Sequence, residues 1–161
     1  MTKSNSQPLP QQPVLYLMVG LPGSGKTTRA KEIEVEHNAL RLSPDEWILD
    51  LYGHDLDRPQ RDAVRDPVEA LQWKVAQRAI GLGCSVVLDW GFWSQEERRS
   101  YGAQGEQLGA TVQVIFLDAE IDELWARISQ RDGSQQGTRH ISREELEEWS
   151  TWFEPLTDES V

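Results

Sequence analysis

Apolar residues run unbroken from Val14 to Val19 (VLYLMV), a length suited to a strand covered on both faces. A glycine-rich turn follows from Gly20 to Gly25, and residues 26 to about 37 read as a helix. Leu40–Leu42 is a candidate second strand. Ser43, Pro44 and Glu46 form a helix start, with a cap, a first-position proline and the acid of a capping box. That helix carries Trp47, Ile48 and Leu51 and stops near Gly53. Residues 52–66 are polar without a period and are expected to form an irregular loop. Asp66, Pro67 and Glu69 repeat the cap, proline and acid pattern. They open a helix with Val68, Leu71, Val75, Ala79 and Leu82 at helical spacing, which Gly81 and Gly83 end. Residues 85–88 (SVVL) read as a third strand terminated by Asp89. Ser94 with Glu97 caps a helix ending near Gly109, and residues 111–117 (TVQVIFL) are a fourth strand. Ile121, Leu124, Trp125 and Ile128 mark a further helix, and residues 132–140 a loop. Ser142 with Glu145 caps a last helix carrying Leu146, Trp149 and Phe153, and Pro155 closes it.

Strands and helices alternate, which predicts an α/β fold with a parallel sheet between two helical layers. No internal repeat or linker divides the chain, so one domain is expected over 14–156. Residues 1–13, rich in Gln, Ser and Pro, read as a disordered lead-in without the apolar core of a signal peptide, and 157–161 as a flexible tail. No apolar stretch approaches the ~18 residues that a bilayer needs.

The 161 residues carry 27 acids against 16 bases, a net charge of −11. Proteins that grip a polymer of phosphates show a basic stripe, so this balance argues against extensive nucleic-acid binding. It leaves room for a local basic pocket. Arginines recur at Arg58, Arg61 and Arg65, at Arg98 and Arg99, and at Arg127 and Arg131. The single cysteine, Cys84, adjoins an apolar run and is expected to be a buried, inert thiol. A chain with one cysteine and no membrane segment fits a cytoplasmic location.

Gly20-Leu21-Pro22-Gly23-Ser24-Gly25-Lys26-Thr27 matches G-x-x-x-x-G-K-[ST] between a strand and a helix, as phosphate binding requires. Glycines let backbone N–H groups wrap a polyphosphate, and the following helix presents its N-terminus to the same anion. Lys26 supplies charge at the β- and γ-phosphates of ATP or GTP, and Thr27 a hydroxyl for Mg²⁺. Thr28 either reaches the α-phosphate or is simply a first-turn residue.

Two aspartates follow. Asp45 lies where the second strand meets its helix, and ligands of open α/β sheets gather at such strand ends. It is the candidate base for an acceptor hydroxyl, although acids also favour first helical turns for the dipole alone. Asp89 ends an apolar strand and is the candidate partner of Thr27 at Mg²⁺. Trp90, Phe92 and Trp93 read as packing more than as the floor of a pocket. Arg127 and Arg131 share a helix face and are candidates to neutralise charge on a moving phosphoryl group, with Arg139 in the following loop a weaker one. Arg98 and Arg99 read as solvated, and His37, His54 and His140 lack metal-ligand spacing.

The segments GLPGSGKTT (20–28), SPDEW (43–47) and VVLDWGFWSQEER (86–98), with Arg127 and Arg131, resemble the small bacterial P-loop kinases catalogued as AAA-domain proteins. These are related to the kinase half of polynucleotide kinase and, more distantly, to zeta toxin, chloramphenicol phosphotransferase and gluconate kinase. The resemblance implies a P-loop NTPase fold with strand order 2-3-1-4-5, Mg²⁺-ATP at the loop, a base at Asp45 and a lid carrying arginines. Four strands are evident, so the fifth is unassigned. Polynucleotide kinase relatives commonly have a Thr/Asn-containing loop after the Asp89 position. Here Trp90–Trp93 stand there instead, which favours a small-molecule acceptor. A polynucleotide 5′-kinase, a toxin-like sugar-nucleotide kinase and a non-catalytic nucleotide switch are the rival readings.

Overall fold

The computed structural model describes residues 12–134 and 140–156. Most of the expected lead-in, Arg139 with most of its loop, and the tail 157–161 lie outside the described residues. The elements in chain order are β1 (Val14–Val19), α1 (Lys26–Glu36), β2 (Leu40–Leu42), α2 (Pro44–Tyr52), α3 (Arg58–Gly81), β3 (Val86–Gly91), α4 (Gln95–Gln107), β4 (Thr111–Phe116), α5 (Ile121–Ser134) and α6 (Arg143–Trp152).

All strand pairings are parallel, in the order β2-β3-β1-β4. β1 is central, and its side chains alternate between two cores. Leu15, Leu17 and Val19 join Val86 and Leu88 under Trp73, Ala76 and Ile80 of α3. Tyr16, Met18 and Val87 face Ala30 and Ile33 of α1. This period of two makes the molecule three-layered and explains the unbroken apolar run. A third cluster joins Leu124 and Ile128 of α5 to Leu146 and Trp149 of α6. Among the described residues no helix is long and apolar enough to cross a membrane.

The α/β fold class is as the sequence implies, and the sheet reproduces the first four places of the implied order. No fifth strand occurs among the described residues. After α6 the chain folds back on the start of α4 instead. The Glu154 N–H donates to Trp93 O at 2.8 Å, and the Glu154 carboxylate accepts from the Gln95 N–H at 2.6 Å.

Several local expectations are corrected. The expected loop 52–66 is mostly helix, because Asp57, not Asp66, is the cap. Its carboxylate accepts from the Gln60 N–H, and the Gln60 side chain returns the bond, so α3 runs unbroken through Pro67. β3 does not stop at Asp89. Val19 still pairs with Gly91, and the Trp90 ring is core, with its N–H donating to Gln72 at 2.9 Å. α5 continues to Ser134, since a glycine near a helix end costs only about 1 kcal/mol. Ser43 caps α2, but Glu46 is drawn away from the box by Arg41, at 2.6 Å. Cys84 is exposed, on the turn after α3. Arg98 is buried rather than solvated, because backbone carbonyls receive its guanidinium.

Pro67 offers no N–H to the Ala63 carbonyl, and its own ring is exposed. Pro67→Ala is expected to stabilise the fold by about 1–2 kcal/mol, the helix gain partly offset by a more flexible unfolded chain. A urea midpoint at or below wild type would show that α3 needs the proline.

Candidate nucleotide site

The glycine-rich loop leaves β1 at Gly20 and enters α1 at Lys26. Gly25 caps α1 with φ 90° and ψ 7°, a left-handed conformation that suits glycine. It offers no side-chain cap to the helix, and the first turn holds no acid. α2, α3, α4 and α6 are each capped by a side chain, from Ser43, Asp57, Ser94 and Ser142. The first N–H groups of α1 are therefore left for an external anion.

A cavity of about 470 Å³ opens there. Pro22, Gly23, Gly25, Lys26, Thr27 and Thr28 of the loop and α1 line it together with Arg127, Ile128 and Arg131 of α5. Its charged lining side chains are Lys26, Lys31, Arg127 and Arg131, all basic, in a chain of net charge −11. Among the described residues Lys26 has no carboxylate partner. Arg127 donates to Gly23 O at 3.3 Å and Ser24 O at 3.4 Å, and forms an ion pair with Glu123. It thus braces α5 against the loop. Gly20, Leu21 and Ser24 are not in the lining; the Ser24 N–H donates to Leu21 O at 3.2 Å, and Ser24 is buried.

Neither Asp45 nor Asp89 is in the lining of this cavity. The Asp89 side chain is 1% exposed, and its Oδ2 accepts from Arg41 at 3.3 Å. Its Oδ1 is buried with no protein partner. Arg41 also holds Glu34 at 3.2 Å and Glu46. Asp45 is 74% exposed and is held by Arg65 at 3.1 Å. Arg65 also donates to Trp90 O at 3.1 Å and pairs with Glu69 at 2.8 Å. The neighbouring acids Asp45 and Glu46 are therefore gripped by two arginines, which tie them to the adjacent β3 residues Trp90 and Asp89.

Arg41 is absent from the residues singled out by sequence, while Arg65 appears there only in a cluster of arginines and Glu69 only as the acid of a helix start. Arg65, Glu69 and Gln72 share one face of α3, and helical spacing would have shown it had the helix been begun at Asp57. Arg41 sits in a three-residue strand, where no pattern marks it. The aromatic run serves mainly as packing. Trp90 and Phe92 are buried and stacked, with ring centroids 5.5 Å apart. Among the described residues no cluster of three or more His, Cys, Asp or Glu is arranged for a metal.

A glycine-rich loop between a central parallel strand and a helix without a side-chain cap defines a P-loop nucleotide-binding protein of kinase-like fold. Residues 15–156 match the family described as AAA domain, and the chain belongs to that family. Comparison with curated proteins gives no match. Among solved structures the chain is similar to a component of the Pnkp1/Rnl/Hen1 RNA repair complex, with TM-score 0.66 and 23% identity. That likeness covers 94% of this chain and 46% of the other, so this chain spans under half of its relative. It is also similar to Kti12 of Chaetomium thermophilum, solved with ADP-AlF3, at TM-score 0.66 and 18% identity over 88% and 80% of the two chains. A gluconokinase of Sinorhizobium meliloti 1021 gives TM-score 0.60 and 16% identity over 92% and 79%. At these identities the likeness shows the fold.

Burial pushes Glu69 up to about 7, against the pull of Arg65 and with help from Glu97 and Asp66. The folded state then keeps a proton that the unfolded chain has lost. Stability should therefore fall as pH rises from about 4.5 to about 7, by on the order of 2–3 kcal/mol. Glu69→Gln is expected to remove this slope, read from urea unfolding at pH 5, 6, 7 and 8. Parallel curves for the two proteins would mean that Glu69 is ionised throughout.

Proposed function

We propose that the protein is a kinase that transfers the γ-phosphoryl of Mg²⁺-ATP to a hydroxyl of a small molecule. The observation that carries this reading is the α1 N-terminus, free of a side-chain cap, opening into a cavity whose charged side chains are all basic. Such a site matches a polyphosphate in charge, and its volume lies within the range of small-ligand pockets.

The loop N–H groups and the start of α1 hold the β-phosphate, and Lys26 bridges toward the γ-phosphate. Asp89 fits a metal-bound role, because its Oδ1 is buried without a partner and a hydrated cation would satisfy it. Thr27 Oγ1 and Asp89 are the groups that would hold Mg²⁺, which when bound neutralises charge between the β- and γ-phosphates. Asp45 takes the acceptor proton as the acceptor oxygen bonds to the γ-phosphorus. The bond from that phosphorus to the β–γ bridging oxygen breaks, and its electron pair leaves with ADP. Arg65 orients the Asp45 carboxylate. Arg127 and Arg131, which line the same cavity as Lys26, stabilise the charge spread over the moving group. The acidic net charge and the packed aromatic run at the end of β3 support a small acceptor over a polymer. The intracellular setting expected from the cysteine content would supply ATP at working concentrations.

Metabolite pools incubated with Mg²⁺-ATP should yield a phosphorylated product that Lys26→Ala does not make. Asp45→Asn should lower the turnover of that acceptor by about 10²–10⁴-fold while Mg²⁺-ATP binding is kept. Wild-type turnover in Asp45→Asn would remove the base from the mechanism. Phosphorylation of an oligonucleotide 5′-hydroxyl, with no metabolite modified, would replace the small acceptor by a polynucleotide.

A further inference from the structure

The turn between β3 and α4 is held from several sides. Phe92 has φ 41°, a left-handed conformation that strains a bulky residue and persists only where its surroundings impose it. Its ring stacks on Trp90 and meets Tyr101 edge-on. The Arg98 guanidinium donates to the carbonyls of Phe92 at 2.8 Å and Trp93 at 3.2 Å. The same group donates to Glu154 O at 2.8 Å and Pro155 O at 3.4 Å. Arg98 is 2% exposed, so these carbonyls replace the water that its charge has lost.

The other side of this turn lies against the phosphate loop. The Gly20 N–H donates to Gly91 O at 3.1 Å, and the Trp93 indole N–H donates to Gly20 O at 3.3 Å. Both backbone polar groups of the first loop residue are thus taken by the end of β3 and the turn that follows it. A Cβ on Gly91 would stand 3.1 Å from Trp93 Nε1 and 3.5 Å from Lys26 Cε, so the contact leaves little room for a side chain. The Trp93 ring is set in turn by Trp149 of α6, 5.8 Å away.

We propose that Trp93 is a positioning residue for nucleotide binding, and that Glu154 and Pro155 set it, Glu154 directly by its N–H to Trp93 O and both residues through Arg98. The C-terminal segment would then govern how firmly the loop grips phosphate. This rests on the reading of Gly20–Thr27 as the nucleotide site. Nothing in it requires Trp93 to touch the ligand. The indole orients Gly20, and Gly20 orients the amides that follow.

The test uses the full chain and two readings, calorimetry with Mg²⁺-ATP and amide hydrogen exchange without ligand. Trp93→Phe keeps an aromatic ring and deletes the N–H. It is expected to raise the Kd for Mg²⁺-ATP about three- to tenfold, the worth of one neutral hydrogen bond. Exchange should quicken across residues 20–27 and stay unchanged in β3 and β4. Arg98→Lys, which cannot fork between four carbonyls, should loosen 153–156 and 20–27 together. Wild-type affinity and exchange in Trp93→Phe would overturn the proposal, as would faster exchange spread evenly through the core. Loosening of 153–156 alone in Arg98→Lys would remove the C-terminal coupling. If the wild-type chain takes up no nucleotide, the nucleotide-site reading itself fails. If it does and Trp93→Phe matches it, only the positioning role fails.

Discussion

The backbone N–H groups at the start of α1 must be kept from the protein's own side chains if they are to serve an anion, and the rest of the structure holds them at the cavity. A helix start normally recruits a side-chain cap, and this one has none. Satisfying those donors internally would stabilise the fold but close the site. The chain instead presents them from β1, a strand buried over Leu15–Val19 and held by neighbours on both sides. A rigid origin lets a ring of amides keep its shape before an anion arrives, which lowers the ordering cost of binding.

Arginines do much of the remaining work, and they do it in two ways. Arg127 and Arg131 stand at the cavity with Lys26 and Lys31 and make a basic island on an acidic protein. Arg41, Arg65 and Arg98 act inside the fold as ties between segments far apart in sequence. Arg41 and Arg65 fasten the first turn of α2 to the end of β3, and Arg98 fastens the turn after β3 to the C-terminal segment. The planar guanidinium suits this task, since its five donors reach several acceptors in one geometry. The arrangement brings the acids at two strand ends to the same side of the sheet, next to the loop. Asp45 and Asp89 are thereby both tied to β3, whose Gly91 carbonyl accepts from the Gly20 N–H of the loop.

Much of this was legible along the chain. Val14–Val19, Leu40–Leu42 and the caps at Ser43, Ser94 and Ser142 all appear where the pattern puts them, because each depends on near neighbours in sequence. The loop motif was legible for the same reason, with its glycines, lysine and threonine at fixed spacing. The long α3 was not, because Asp66-Pro67 imitates a helix start within a helix already running from Asp57. The burial of Arg98 and the exposure of Cys84 were also hidden, since both depend on which remote segment arrives at that place.

Sequence alone determined the alternation of strands and helices, the parallel sheet and the chemistry of the phosphate loop, all of which follow from periodicity and local backbone requirements. Tertiary structure alone decided which charges meet: Arg65 with Asp45, Arg41 with Asp89, Trp93 with Gly20. Those contacts join residues 20 to 73 positions apart. No local pattern records them, because they exist only once the sheet has brought its strand ends side by side.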